Sequence, residues 1–137
     1  MRSVLAVFLA LALGGCVTGN VVTDLSAPSH VQEALKYRGR GNVTGFRGPW
    51  CRAFVNMSLR NSGHHLTDTS LRAKDAVNLG HRVDSLVAGA IFVMPHHTGF
   101  VWRVTGPNTF ESVEGNHGHR VQTVMRSTRG LVLIIPN

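Results

Sequence analysis

Aromatic residues are scarce, acidic residues are outnumbered two to one, and only two cysteines occur, Cys16 and Cys51. Each shortage excludes something. Six Phe, two Trp and one Tyr in 137 residues, with no basic stripe interleaved among them, offer few platforms for stacking single-stranded bases. No apolar run is long enough to cross a hydrocarbon core of about 30 Å as a helix; the longest spans Val4 to Leu13. No short repeat is present, which excludes collagen-like, coiled-coil and low-complexity chains. With 43% hydrophobic and 15% charged residues, the sequence reads as one globular domain. Seven Asp and Glu stand against fourteen Lys and Arg, of which only Lys36 and Lys74 are lysine, for a net charge of +7. That balance suits an anionic partner (nucleic acid, anionic lipid or a cell-wall polymer) and selects none of them.

The first residues are not expected to belong to the fold. Arg2 precedes the apolar stretch, which fits a secretory signal over residues 1–15. The stretch ends Leu13-Gly14-Gly15-Cys16, which resembles a bacterial lipobox, whose Cys receives a diacylglyceryl group on sulfur. This implies acylation of Cys16, a bilayer anchor, and a short lipidated tether over residues 16–28. Val17, in place of Asp after the Cys, implies the periplasmic side of the outer membrane. With Cys16 acylated, Cys51 remains a lone thiol in an oxidising compartment, a liability unless buried or used.

Ser29 and Gln32 form a capping-box pattern ahead of Val31, Ala34 and Leu35, and predict a helix over 29–38. Four glycines between 39 and 49 predict a loop. Pro49 suits the first position of a second helix, with Ala53, Phe54, Val55 and Met57 on one face and Ser62-Gly63 as its stop. A third helix is predicted over 69–79, capped by Thr69, with Ala73, Ala76 and Val77 inward. Strands are predicted at 90–94, 98–104, 109–113, 120–125 and 131–135, with a turn at Gly106-Pro107-Asn108. Helices first and consecutive short strands after them argue α+β, with N-terminal helices packed on an antiparallel sheet of about five strands. Residues 29–137 form the domain.

Cys51 falls third in the helix that Pro49 opens, where unpaired N–H groups and the helix dipole favour a thiolate. A thiolate nucleophile needs an imidazole to share its proton, and a third group to orient that imidazole. His97 begins a strand, on one face with Gly99 and Val101, while Thr98, Phe100 and Trp102 face the core. Gly99 leaves space beside the ring. Glu114 and Asn116 end the next strand, share a face if that strand continues through Gly115, and can both come level with His97.

These residues carry a resemblance. Trp50-Cys51-x-x-Phe54-Val55-Asn56, Gly89-Ala90-Ile91, His97-Thr98-Gly99-Phe100-Val101 and Glu114-Gly115-Asn116, in that order, resemble the CHAP family of cysteine, histidine-dependent amidohydrolases/peptidases, in the NlpC-type papain-like clan. Arg52 stands where the family more often has a small residue, and Leu86-Val87-Ala88 where it usually has a Pro. The resemblance implies a papain-like fold and a peptidoglycan hydrolase, amidase or endopeptidase, with Cys51 as nucleophile, His97 as base, and Glu114 and Asn116 in the positions that follow. It implies no cofactor and no metal, and peptidoglycan, not nucleic acid, as partner. Three rivals stand beside it. A zinc hydrolase could draw ligands from His96, His97, His117 and His119, although no His-Glu-x-x-His helix is present. A non-catalytic binding module could use the arginine excess. A catalytically inactive member of the same fold could serve as an envelope scaffold.

Overall fold

The structure, a computed structural model, describes residues 23–137. The signal, Cys16 and most of the tether lie outside the described residues. Two α-helices, α1 (Ser29–Leu35) and α2 (Cys51–Asn61), are followed by a 3₁₀ helix (Ala73–Leu79) and six strands. These are β1 (Gly80–Val83), β2 (Ile91–Val93), β3 (Thr98–Gly106), β4 (Thr109–His117), β5 (Arg120–Ser127) and β6 (Val132–Pro136). They form one antiparallel sheet in the order β1-β6-β2-β3-β4-β5. The fold is α+β, with helices packed on a sheet, as the order of elements in the sequence predicts.

The main core lies between the helices and one face of the sheet. Val31, Leu35, Phe54, Val55 and Leu59 meet Ile91, Phe100, Trp102, Val113 and Ile134 there. A smaller cluster, Ala90, Phe92, Val101, Phe110 and Leu133, covers the opposite face. Strand alternation sets the division: Ile91 and Phe92, or Phe100 and Val101, point to opposite sides. α2 is buried on nearly every side, including polar Arg52, Asn56 and Ser58. Segment 62–79 covers the flank that the apolar pattern leaves polar. The end of the expected tether also packs on the domain: Ala27 is buried, and the Trp102 indole N–H donates to Asp24 Oδ2 at 2.8 Å.

Several boundaries differ from those the sequence predicts. α1 ends at Leu35, and Pro28, not Ser29, is its cap, without a side-chain bond. Gln32 instead donates back to the Ala27 carbonyl at 2.7 Å. α2 begins one residue after its cap Trp50, so Cys51 is its first residue, not its third. The expected helix over 69–79 starts at Ala73 and is 3₁₀. Asp68 accepts from the Ser70 N–H, and the Ser70 hydroxyl donates to Asp75, which gives residues 68–72 a turn of their own that competes with helix. The three-residue repeat turns Ala76 and Leu79 inward and leaves Val77 40% exposed. β1 has no counterpart in the expected strands, and β4 runs four residues past Val113.

At Gly115 the sheet packs directly against the start of α2. A Cβ there would lie 2.6 Å from Phe54 Cβ and 2.8 Å from the Trp50 ring. Neither neighbour can retreat, since both are buried. Gly115→Ala is therefore expected to destabilise the domain by about 1–3 kcal/mol, the usual cost of overpacking. Urea midpoints check this; an unchanged midpoint would mean that α2 shifts freely over β4.

Candidate active site

Cys51 sits at the start of α2, 3% exposed, where the first-turn N–H groups have no helical acceptor. His97 sits in the turn between β2 and β3, at the end of the sheet. His97 and the N–H groups of Thr98 and Arg52 are the groups that act on the Cys51 thiol. Burial pushes the Cys51 thiol up, but the His97 hydrogen bond, the His97 charge and the two N–H groups outweigh it and hold the thiol below its ordinary value. Among the described residues Cys51 is the free cysteine.

Glu114 engages the other side of the imidazole. Its Oε1 lies 2.8 Å from His97 Nε2, which leaves Nδ1 for the thiol. The carboxylate is fully buried, and it is saturated. Arg126 donates from Nε to Oε2 at 2.8 Å and from Nη2 to Oε1 at 2.6 Å. The Ser112 hydroxyl donates to Oε2 at 2.5 Å. Burial pushes Glu114 up, but the Arg126, His97 and Ser112 hydrogen bonds bring it down to about 2. Burial likewise disfavours a charged His97, yet its bonds to Cys51 and Glu114 raise it to about 9. The directions agree: each shift favours the charged form, thiolate, imidazolium and carboxylate alike.

The close approach of Glu114 depends on Gly99. The two are cross-strand neighbours, and a Cβ on Gly99 would lie 2.7 Å from Glu114 Cβ and 2.8 Å from the Phe92 ring. The space expected beside His97 is thus filled by the neighbouring strand. Arg126 and Ser112 were not among the expected site residues. Their signal was present: Ser112 shares a strand face with Glu114, and the β4–β5 hairpin carries an Arg with no other acid near it on that face.

Asn116 is not placed beside Glu114. It has φ +57, and the β4–β5 register shifts between Glu114 and His117, so the alternation that would put 114 and 116 on one face breaks there. No hydrogen bond joins its side chain to His97. The structure brings Cys51, His97 and Glu114 together, and leaves Asn116 in the bulge.

The residues do not suit a resident cation. Ligand atoms of His97, Glu114 and His117 lie within 4.8 Å of one another, and His117 Nδ1 is 3.1 Å from Glu114 Oε1. That oxygen already faces the Arg126 guanidinium, whose fixed charge repels a metal ion. His96 and His119, the other expected ligands, do not join the cluster. Arg52, which follows the thiol in α2, is fully buried.

A cleft of about 490 Å³ opens at Cys51, lined by Phe46, Pro49, Leu71 and Pro95, with Arg72, Lys74 and His96 also on its walls. Apolar walls around a nucleophile exclude water and accept an extended chain. No family model matches the chain. No curated protein matches it either.

Proposed function

We propose that the protein is a cysteine hydrolase that cuts an amide bond of the cell-wall peptide, as an amidase or endopeptidase, from a lipid anchor on Cys16. The observation that carries the reading is an imidazole, His97, that is hydrogen-bonded to the buried Glu114 carboxylate and favours the thiolate of Cys51, which lines an apolar cleft. The resemblance of the Trp50-Cys51-x-x-Phe54-Val55 and His97-x-Gly99-Phe100-Val101 segments to CHAP domains names the substrate class. The net charge of +7 suits an anionic wall polymer.

The chemistry follows from the contacts. The Cys51 thiolate attacks the amide carbonyl, and the thioester forms as the amine leaves. The Cys51 backbone N–H, free at the first position of α2, is placed to hold the oxyanion. The His97 imidazolium gives its proton to the leaving amine, then takes one from the water that hydrolyses the thioester. Glu114 keeps the ring oriented and its charge favourable throughout. Arg126 and Ser112 keep Glu114 ionised and still.

Mass analysis of muropeptides after incubation with residues 17–137 tests the reading. New free amino termini mean peptidase, separated glycan and peptide mean amidase, and unchanged muropeptides overturn it. The anchor has its own test. Cys16→Ser should abolish lipidation and release the protein from membranes; a variant still processed at the same site and membrane-bound would refute the anchor.

A further inference from the structure

Arg52 has no exposed surface and follows the nucleophile directly in α2. Among the described residues no carboxylate forms an ion pair with it. A buried guanidinium without an anion is unfavourable unless its donors are met and its charge is used. The donors are met by one segment. Nη2 donates to the Asp68 carbonyl at 3.0 Å and Nη1 to the Arg72 carbonyl at 3.3 Å. Nε donates to Asn56 Oδ1 at 2.7 Å, and the Asn56 amide passes the contact on to the Ser70 carbonyl at 3.2 Å. Residues 68–72 are therefore fastened to the first turn of α2 through Arg52 and Asn56. That segment delivers Leu71 and Arg72 to the cleft wall and leads into Ala73 and Lys74 of the same wall. Carbonyl dipoles satisfy the N–H groups without cancelling the charge.

We propose that Arg52 is a positioning residue, which locks the 68–72 wall of the cleft to the turn that carries Cys51 and supplies a fixed positive charge to the thiolate. Burial works against the charged guanidinium, and the charges of Asp68, Asp75 and Cys51 act in its favour. The inference rests on Cys51 as the nucleophile. The charged and titratable groups around Cys51 and on the cleft wall are His97 just before β3, with Glu114 of β4 behind it, Arg72 and Lys74 at the start of the 3₁₀ helix, and His96. Of these, His97 loses its charge on the alkaline side. Arg52 does not titrate in that range, so its influence is expected on the acid limb of thiolate formation.

The test needs no wall substrate. Alkylation of Cys51 by iodoacetamide is followed from pH 4 to 10 in the protein and in its Arg52→Lys and Arg52→Gln variants, with amide hydrogen exchange over 66–74. Arg52→Lys keeps the charge and loses the fork; Arg52→Gln loses both. In Arg52→Gln the acid limb should move to higher pH, with alkylation severalfold slower along that limb. In Arg52→Lys the limb should stay. In both, amides of 68–72 should exchange about tenfold faster as their local opening becomes easier. An Arg52→Gln protein that alkylates along the unaltered profile overturns the charge role. Unchanged exchange at 68–72 in both variants overturns the positioning role. If Arg52→Gln does not fold, Arg52→Lys decides alone: a moved limb refutes the charge role, and unchanged exchange the positioning role. Failure of the hydrolase reading would appear separately, as unchanged muropeptides with these profiles intact.

Discussion

Cys51→Ala should reduce muropeptide cleavage to background while the domain stays folded. The thiol occupies a small, buried place at the start of α2, and Ala fits there without strain. Loss of the sulfur costs about 1 kcal/mol of packing, close to one buried methylene. No other thiol among the described residues can take its place. Alkylation provides the companion measurement. Burial works to protonate the thiol, but the His97 bond and charge hold it below its ordinary value. Cys51 should therefore react with iodoacetamide faster than an ordinary thiol on the acid side of the ordinary thiol range. Cleavage by the Cys51→Ala protein at the unaltered rate would refute the mechanism, whatever the geometry.

How much of this was legible before the structure depends on what kind of signal each part leaves. Strands β2 to β6 are legible because each carries buried apolar residues, in β5 Val121 alone, and burial writes apolar residues into the sequence. β1 is not: Gly80-His81-Arg82-Val83 is an edge strand pairing only with β6, and its outward residues are free to be polar. The α-helix that the sequence predicts over 69–79 is too long because a 3.6-residue period also fits Ala73, Ala76 and Val77. Turns closed by Asp68 and Ser70 use those residues differently. Cys51 and His97 were readable from type and position. The choice between Glu114 and Asn116 was not, because it turns on a register shift in β4 that periodicity assumes away. The place of Arg52 is not legible either. Its burial depends on carbonyls sixteen and twenty residues further along, which no local pattern reports.

Glu114→Gln should cost on the order of tenfold to a hundredfold in turnover, the range seen when the partner of a functional imidazole is lost. Gln keeps the volume but loses the charge that favours the imidazolium. Its amide must also meet either Arg126 or Ser112, both of which donate. Arg126 is left without its carboxylate; being 19% exposed it can recruit water, so the stability loss should stay at or below about 3 kcal/mol. The pH dependence identifies the cause. His97 must be protonated to face the thiolate and to donate to the leaving amine, so activity should fall as pH rises through about 9. Without Glu114 that limb should move to lower pH. Stability carries a matching sign. Glu114, brought from 4.5 to about 2, contributes fully above pH 4.5, and its contribution disappears as pH falls towards 2. His97, raised from 6.5 to about 9, contributes fully below pH 6.5 and loses that contribution as pH climbs towards 9. Urea midpoints of the Glu114→Gln protein should therefore be flatter than those of the unaltered protein at both ends. Asn116→Gly is the control. Glycine adopts φ +57 without penalty, so removing that side chain should leave turnover and both limbs in place. If Asn116→Gly lost activity on the scale expected for Glu114→Gln while Glu114→Gln kept it, the amide would be the group that orients His97, and the buried carboxylate would serve only the sheet.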